Sequence, residues 1–202
     1  MTETLVIVFA RNVRAGRVKT RLATMIGDSK ALKIYQLLKD HTIRQCETLQ
    51  HDKAVYYTDF IPASDEFTRA GFKQNLQQGN DLGERMVNAF RSAFIRGYNQ
   101  VILVGSDCYE LESHHLTQAF FELSRHQAVI GPAKDGGYYL IGFTEKYDAK
   151  IFDQIAWSTS DVLPSTQQKM KDAGIDYALL PELGDIDTFD DLLRYPGLVG
   201  LL

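Results

Sequence analysis

Five apolar runs, each six or seven residues long, constrain most strongly what this chain can fold into. They are Leu5 to Ala10 (LVIVFA), Ala54 to Asp59 (AVYYTD), Val101 to Asp107 (VILVGSD), Ala128 to Ala133 (AVIGPA) and Tyr138 to Phe143 (YYLIGF). Their β-branched and aromatic content is that of strands covered on both faces. Between them, apolar residues recur at helical spacing. The clearest set is Leu82, Met86, Ala89, Phe90, Ala93, Phe94 and Gly97, with Asp81 as cap and Glu84 completing a capping box. A second helix is predicted over Ser29 to Leu49, with Ala31, Tyr35, Leu38, Thr42 and Leu49 turned inward. Ser160 or Asp161 opens another, which Pro164 is expected to break early. Thr188 opens the last, with Asp191 three residues on. Strands alternating with helices predict an α/β fold, its sheet mostly parallel and its helices on both faces.

The chain has 202 residues, 45% of them hydrophobic, which fits one domain over 1–202 that buries roughly 70% of its unfolded surface. No repeat, low-complexity tract or long linker interrupts it. The net charge of −4 gives no cationic field to draw nucleic acid or an anionic membrane nonspecifically, so any anion site must be local. Cys46 and Cys108 lack zinc or redox spacing. The first apolar run is too short for a signal-peptide core or a membrane span, which predicts a soluble cytoplasmic protein. The apolar ending, YPGLVGLL, is expected to dock on the body or on a second copy, as in a homodimer.

Directly after the first run, from Ala10 onward, comes a basic loop holding Arg11, Arg14, Arg17, Lys19 and Arg21 around Gly16. In a parallel sheet covered by helices, ligands sit beyond the carboxyl ends of the strands, and the turn after the first strand is a favoured phosphate site. Two cations 8 Å apart repel by roughly 2 kcal/mol at an effective dielectric near 20, so five together call for solvation or a neutralising partner. A diphosphate or triphosphate supplies that partner. Gly16 permits close backbone approach, and arginine forks match phosphate oxygens. The alternative is a loop with its arginines in water. The spacing matches neither a Walker loop nor the GxGxxG fingerprint.

Acidic residues stand where they can face this loop. Asp107 ends a strongly apolar run, and Asp185 and Asp187 precede the Thr188 helix start. Asp107 and Asp187, from separate segments, offer the hard oxygen ligands that Mg²⁺ or Mn²⁺ takes alongside phosphate. Ordinary turn chemistry accounts equally for Asp185 and Asp187. Asp135, with Gly136 and Gly137, reads either as a hairpin turn or as a substrate-side carboxylate, a general base or a holder of a hydroxyl. Trp157 either stacks on a ring or fills the core. His114 and His115 read as surface residues.

Six blocks in order, FARNVRAGRVKTRLA, GNDLGERM, VGSDC, GPAKDGGYYLIG, IAWSTSDVL and DIDTFDDL, resemble a bacterial family of glycosyltransferase-like proteins named for arsenosugar biosynthesis. That family belongs to the GT-A nucleotide-diphospho-sugar transferase superfamily. The resemblance covers essentially the whole chain. It implies a GT-A fold with a nucleotide half and an acceptor half, and a cleft lined by Gly16, Lys19, Arg21, Asp107, Asp135, Gly136, Gly137 and Asp187. Gln77, Arg85 and Trp157 match further family blocks. Two departures stand out: Val13 and Ala15 replace prolines usual in the first loop, and Tyr109 replaces a proline usual after SDC.

Three functions compete. In the first, a metal-dependent glycosyltransferase binds a nucleotide sugar on Arg11, Lys19, Arg21 and a divalent cation at Asp107 and Asp187, and a small-molecule acceptor attacks the anomeric carbon, with Asp135 as base if the reaction inverts configuration and no such base if it retains it. In the second, a nucleotidyltransferase joins a nucleoside triphosphate to a phosphorylated acceptor and releases pyrophosphate. The VKTRLA loop also looks like that of 2-phospholactate guanylyltransferase, and DIDTFDDL is similar to the metal-binding ending of sugar cytidylyltransferases. In the third, the protein binds nucleotide without turnover.

Overall fold

The computed structural model describes residues 3–145 and 147–201. The chain runs β1 (Thr4–Ala10), α1 (Thr20–Ile26), α2 (Asp28–Glu47), β2 (Asp52–Tyr57), α3 (Glu66–Arg69), β3 (Lys73–Leu76), α4 (Leu82–Ile95) and β4 (Gln100–Gly105). It continues through α5 (Ser113–Leu123), β5 (Ala128–Pro132), β6 (Tyr138–Thr144), α6 (Val162–Asp172), β7 (Tyr177–Leu179), α7 (Phe189–Leu193) and α8 (Pro196–Val199). A short 3₁₀ turn, Ala149–Phe152, lies between β6 and α6. The strands form a single seven-stranded sheet in the order β3-β2-β1-β4-β6-β5-β7. Only β6 runs against its neighbours, β4 and β5; the remaining pairings are parallel. The predicted mixed, mostly parallel sheet is therefore present.

Strand β1 shows why the sheet is covered twice. Its side chains alternate between faces. Val6, Val8 and Ala10 join a core with Ile43 and Cys46 of α2 and Leu116, Ala119 and Phe120 of α5. Leu5, Ile7 and Phe9 join another with Met86, Ala89 and Phe90 of α4 and Met170 of α6. A strand apolar on both faces can be stable only between two helical layers.

Several expectations need correction. β3 and β7 were not predicted, because both are short edge strands with polar or half-exposed residues and no apolar run. The second and third runs stop being strand at Tyr57 and Gly105, so Asp59 and Asp107 lie in the loops beyond. Asp81 caps α4 by accepting from the Glu84 N–H, but the Glu84 carboxylate accepts from the Asn80 N–H, so the capping box is not closed on the cap residue. Pro164 does not break its helix: α6 runs 11 residues, since a proline in the first turn removes an N–H that has no intrahelical acceptor. His115 is buried, not on the surface, and its Nδ1 accepts from the Glu112 N–H at 3.0 Å. At the apolar ending, Leu198 packs with Leu22, Ile34, Leu38, Ile186 and Leu192, so this segment docks on the chain's own α1 and α2; Leu202 lies outside the described residues. Among the described residues no helix is long and apolar enough to cross a membrane.

The topology places the site. β1, β4 and β5 run in the same direction, so the loop after Ala10, the loop after Gly105 and the β5–β6 turn converge at one edge of the sheet.

Candidate active site

The basic loop is held to the sheet edge by buried polar groups. The Asn12 side chain is buried. Its Oδ1 accepts from the Asp59 N–H at 2.9 Å and the Phe60 N–H at 3.3 Å, and its Nδ2 donates to the Phe60 carbonyl at 2.9 Å. This fastens the loop after β1 to the loop after β2. The Arg14 guanidinium lies over the Phe60 ring, 4.8 Å from its centroid. Tyr35, on α2, accepts from the Arg11 N–H at 2.8 Å, and its hydroxyl stands 3.1 Å from Ser106 Oγ. One tyrosine thus ties the ends of β1 and β4 together, and burial pushes its pKa up. Gly16 sits at φ 72° in a turn closed by Arg17 N–H donating to the Arg14 carbonyl.

Lys19 departs most from expectation. It adopts a left-handed backbone at φ 47°, and its side chain is only 3% exposed. Its ammonium donates to Asp107 Oδ2 at 2.9 Å and Asp187 Oδ1 at 2.7 Å. Those carboxylates remain 42% and 40% exposed. Burial by itself would lower the Lys19 pKa; the two carboxylates reverse that and raise it. The same ammonium is the main cause holding Asp107 below the usual carboxylate range, against the opposing effect of burial. Among the described residues Asp185 has no such partner, and burial together with Asp187 and Asp107 pushes its carboxyl up to about 6.

Two adjoining cavities open at this edge. The larger, about 670 Å³, is lined by Ala10, Arg11, Asn12, Arg14, Arg17, Tyr35, Thr58, Asp59, Gln77, Arg85, Ser106 and Asp107 among others. The smaller, about 200 Å³, is bounded by Asp107, Asp135, Gly137, Tyr138, Trp157 and Asp185 together with apolar side chains. Leu82, Gly105, Asp107 and Ser158 line both. Within the larger cavity, Gln77 Nε2 donates to the Tyr56 carbonyl at 2.9 Å and Arg85 Nε to the Gly79 carbonyl at 3.1 Å.

Of the residues singled out in the sequence, Ala10, Arg11, Gln77, Arg85 and Asp107 meet around the larger cavity, and Asp135, Gly137 and Trp157 around the smaller. Gly16, Lys19, Arg21, Gly136 and Asp187 line neither; Arg21 is exposed on α1. Lys19 and Asp187 reach the site through Asp107. The Asp135 turn is indeed a hairpin device, its Oδ1 accepting from the Gly137 N–H at 2.9 Å. Gly136, at φ 89°, leaves no room for a side chain: a Cβ there would stand 2.4 Å from the Ser160 carbonyl oxygen. Trp157 packs near Phe152 and over Gly83 and also lines the small cavity. Tyr35, Ser106, Asn12 and Asp59 were not anticipated. Tyr35 carries a helical-face signal that reads as core, and nothing in sequence marks Asn12.

Asp107 and Asp187 have the donor chemistry that a divalent cation takes beside phosphate. Both carboxylates accept from the Lys19 ammonium. Among the described residues no three acidic, histidine or cysteine side chains converge as a metal cage. Mg²⁺ commonly needs no such cage, taking one or two carboxylates plus substrate phosphates and water.

Residues 42–159 match a family described as "Uncharacterized protein conserved in bacteria (DUF2064)". That description carries no reference to arsenosugars. The chain is 31% identical to a protein from Desulfovibrio desulfuricans G20 provisionally named a nucleotide-diphospho-sugar transferase, with a TM-score of 0.87 over 100% of this chain and 98% of that one. It shares its fold with 4-diphosphocytidyl-2C-methyl-D-erythritol synthase from Anaerococcus prevotii at 10% identity, with a TM-score of 0.61 over 98% of this chain and 96% of that one. It is also similar in fold to CMP:2-keto-3-deoxy-manno-octonic acid synthetase, whose structure holds CTP, at 11% identity and a TM-score of 0.60 over 99% of each chain. No curated protein matches the sequence.

Proposed function

We propose, from the premise that the chain belongs to the bacterial DUF2064 family, that it is a glycosyltransferase using a nucleotide-diphospho-sugar donor and a small-molecule acceptor. The observation that carries this is the contiguity of an arginine-lined cavity with a small acid-lined one across the shared residue Asp107. A donor needs both: cations for its diphosphate, and beside them a place where a second molecule meets the sugar.

In this reading Arg11, Arg14, Arg17 and Arg85 hold the diphosphate and stabilise the charge that grows on the departing nucleoside diphosphate. Lys19 acts one shell further out, fixing Asp107 and Asp187. Those two carboxylates would hold a Mg²⁺ or Mn²⁺ ion, which supplies further stabilisation of the leaving group's negative charge. Asp135 has one oxygen engaged by the Gly137 N–H and keeps the other for the acceptor. The acceptor hydroxyl oxygen bonds to the anomeric carbon, the bond from that carbon to the phosphate oxygen breaks, and Asp135 takes the hydroxyl proton. The name of the Desulfovibrio relative supports this chemistry.

The test is calorimetric titration with UDP-, GDP-, CDP- and ADP-linked sugars, with and without Mn²⁺, followed by assay of nucleoside diphosphate release. Binding of one series and release on addition of acceptors is expected. Four arginines around one cavity also match the charge of a triphosphate, which favours nucleotidyl transfer as the second reading. Pyrophosphate release from nucleoside triphosphates and sugar phosphates, with no turnover of nucleotide sugars, would establish that reading instead.

A further inference from the structure

We infer that the small cavity is an acceptor subsite that selects against phosphate: it takes a neutral or cationic hydroxyl compound of about one ring, with an apolar face. The inference rests on the glycosyl-transfer reading and deepens it. Three carboxylates, Asp107, Asp135 and Asp185, line the cavity, and among the described residues no lysine, arginine or histidine does. Of the nearby ammonium groups, Lys19 pairs with Asp107 and Asp187 and Lys134 lies 3.4 Å from Glu110. A phosphorylated acceptor would bring its charge against Asp135 and Asp185, which pair with no cation among the described residues, while the charge at Asp107 is met by Lys19 and, on the functional reading, by the donor-side cation; like charges repel strongly in a half-enclosed space. An ammonium or a hydroxyl finds acceptors there instead.

The remaining walls fit a ring. Trp157 and Tyr138 supply aromatic surface, and Leu82 and Val162 close the apolar side. Trp157 is set by the absence of a side chain at Gly83, where a Cβ would lie 2.9 Å from the indole Cζ2. Tyr138 contributes its ring, its hydroxyl being buried beside the Thr166 side chain of α6. The volume of about 200 Å³ corresponds to about seven water volumes in the liquid. An acceptor without phosphate is also one that a pyrophosphate-releasing reaction of the second kind would not use.

Trp157 is the chain's single tryptophan, so its emission reports on this cavity. The intact protein is titrated with two charge series, each on one ring: glucosamine, glucose and glucose 6-phosphate, and benzylamine, benzyl alcohol and benzyl phosphate. In whichever series binds, the amine and the neutral compound are expected to bind at least tenfold more tightly than the phosphate. Asp135→Asn combined with Asp185→Asn, checked for fold by circular dichroism, should shrink that ratio severalfold. A phosphate that binds as tightly as its neutral parent overturns the inference, as does the absence of any emission change with all six. Calorimetry with nucleotide sugars is run on the same samples. Protein that binds the nucleotide yet prefers phosphates fails this inference alone, whereas protein that binds no nucleotide fails the functional reading beneath it.

Discussion

At the scale of single residues, Lys19 organises the acidic side of the site. A buried ammonium between two carboxylates converts what would be mutual repulsion into a fixed arrangement, and it does so from a left-handed backbone that L-residues adopt at a cost. Removing one partner of a fully buried ion pair costs about 3–5 kcal/mol. Here the carboxylates stay two-fifths exposed, so water screens part of what Lys19→Met leaves behind, and a loss of about 1–2 kcal/mol is expected. Urea unfolding measures it. A variant as stable as the parent would mean that the three groups do not hold one another. A second readout separates charge from packing: Mg²⁺ should raise the melting temperature of Lys19→Met more than that of the parent, because the variant leaves two carboxylates without their counter-ion.

At the scale of elements, helix α5 carries a pH-dependent N-terminus. The His115 pKa is lowered, chiefly by burial and then by His114; Glu112 and Glu110 act in the opposite direction without reversing it. Above the unfolded value of about 6.5 the ring is neutral in both states and the helix start is intact. As pH falls through that value and then through the lower folded one, the unfolded chain binds the proton more readily, and stability is lost. His115→Gln keeps a side chain suited to the third helical position and removes the titration. On going from about pH 7 to about pH 5 the parent should therefore lose urea midpoint relative to the variant, with His51 contributing equally to both proteins. Parallel pH profiles would show that His115 does not titrate differently on folding.

The same helix shows what the sequence could and could not reveal about elements. Long apolar periodicity made α2 and α4 legible, and β1, β4 and β6 were legible as continuous apolar runs, because burial on one stripe or on two faces leaves a pattern in the chain. β3 and β7 left none, since an edge strand needs backbone partners more than apolar side chains. The site was legible where chemistry is local: arginines after the first strand, Asp107 after the fourth, the Asp135 turn. It was not legible where distance in sequence hides contact. The Lys19 bridge to Asp187 spans 168 residues, and the Tyr35 hydroxyl reaches Ser106 from a helix face that reads as core.

At the scale of the whole molecule, the net charge and the site have opposite signs. A chain of net charge −4 repels an approaching diphosphate from afar, while Arg11, Arg14 and Arg17, gathered on one cavity, attract it at close range. Salt decides which matters for affinity. At about 0.1 M ionic strength the screening length is about 10 Å, so the diffuse repulsion from charges scattered over the surface is already weak. Arginine-to-phosphate contacts act at shorter distance, and further salt reduces them by screening the exposed guanidinium groups. Diphosphate affinity is therefore expected to fall severalfold between about 0.05 M and about 0.5 M salt. Replacing Arg11, Arg14 and Arg17 one at a time by alanine should flatten the dependence stepwise. Calorimetry with a nucleoside diphosphate measures both. An affinity that rises with salt would mean that the long-range repulsion dominates and that the arginine cavity is not where the diphosphate sits. An affinity indifferent to salt and to all three substitutions would remove the electrostatic basis for placing the donor there.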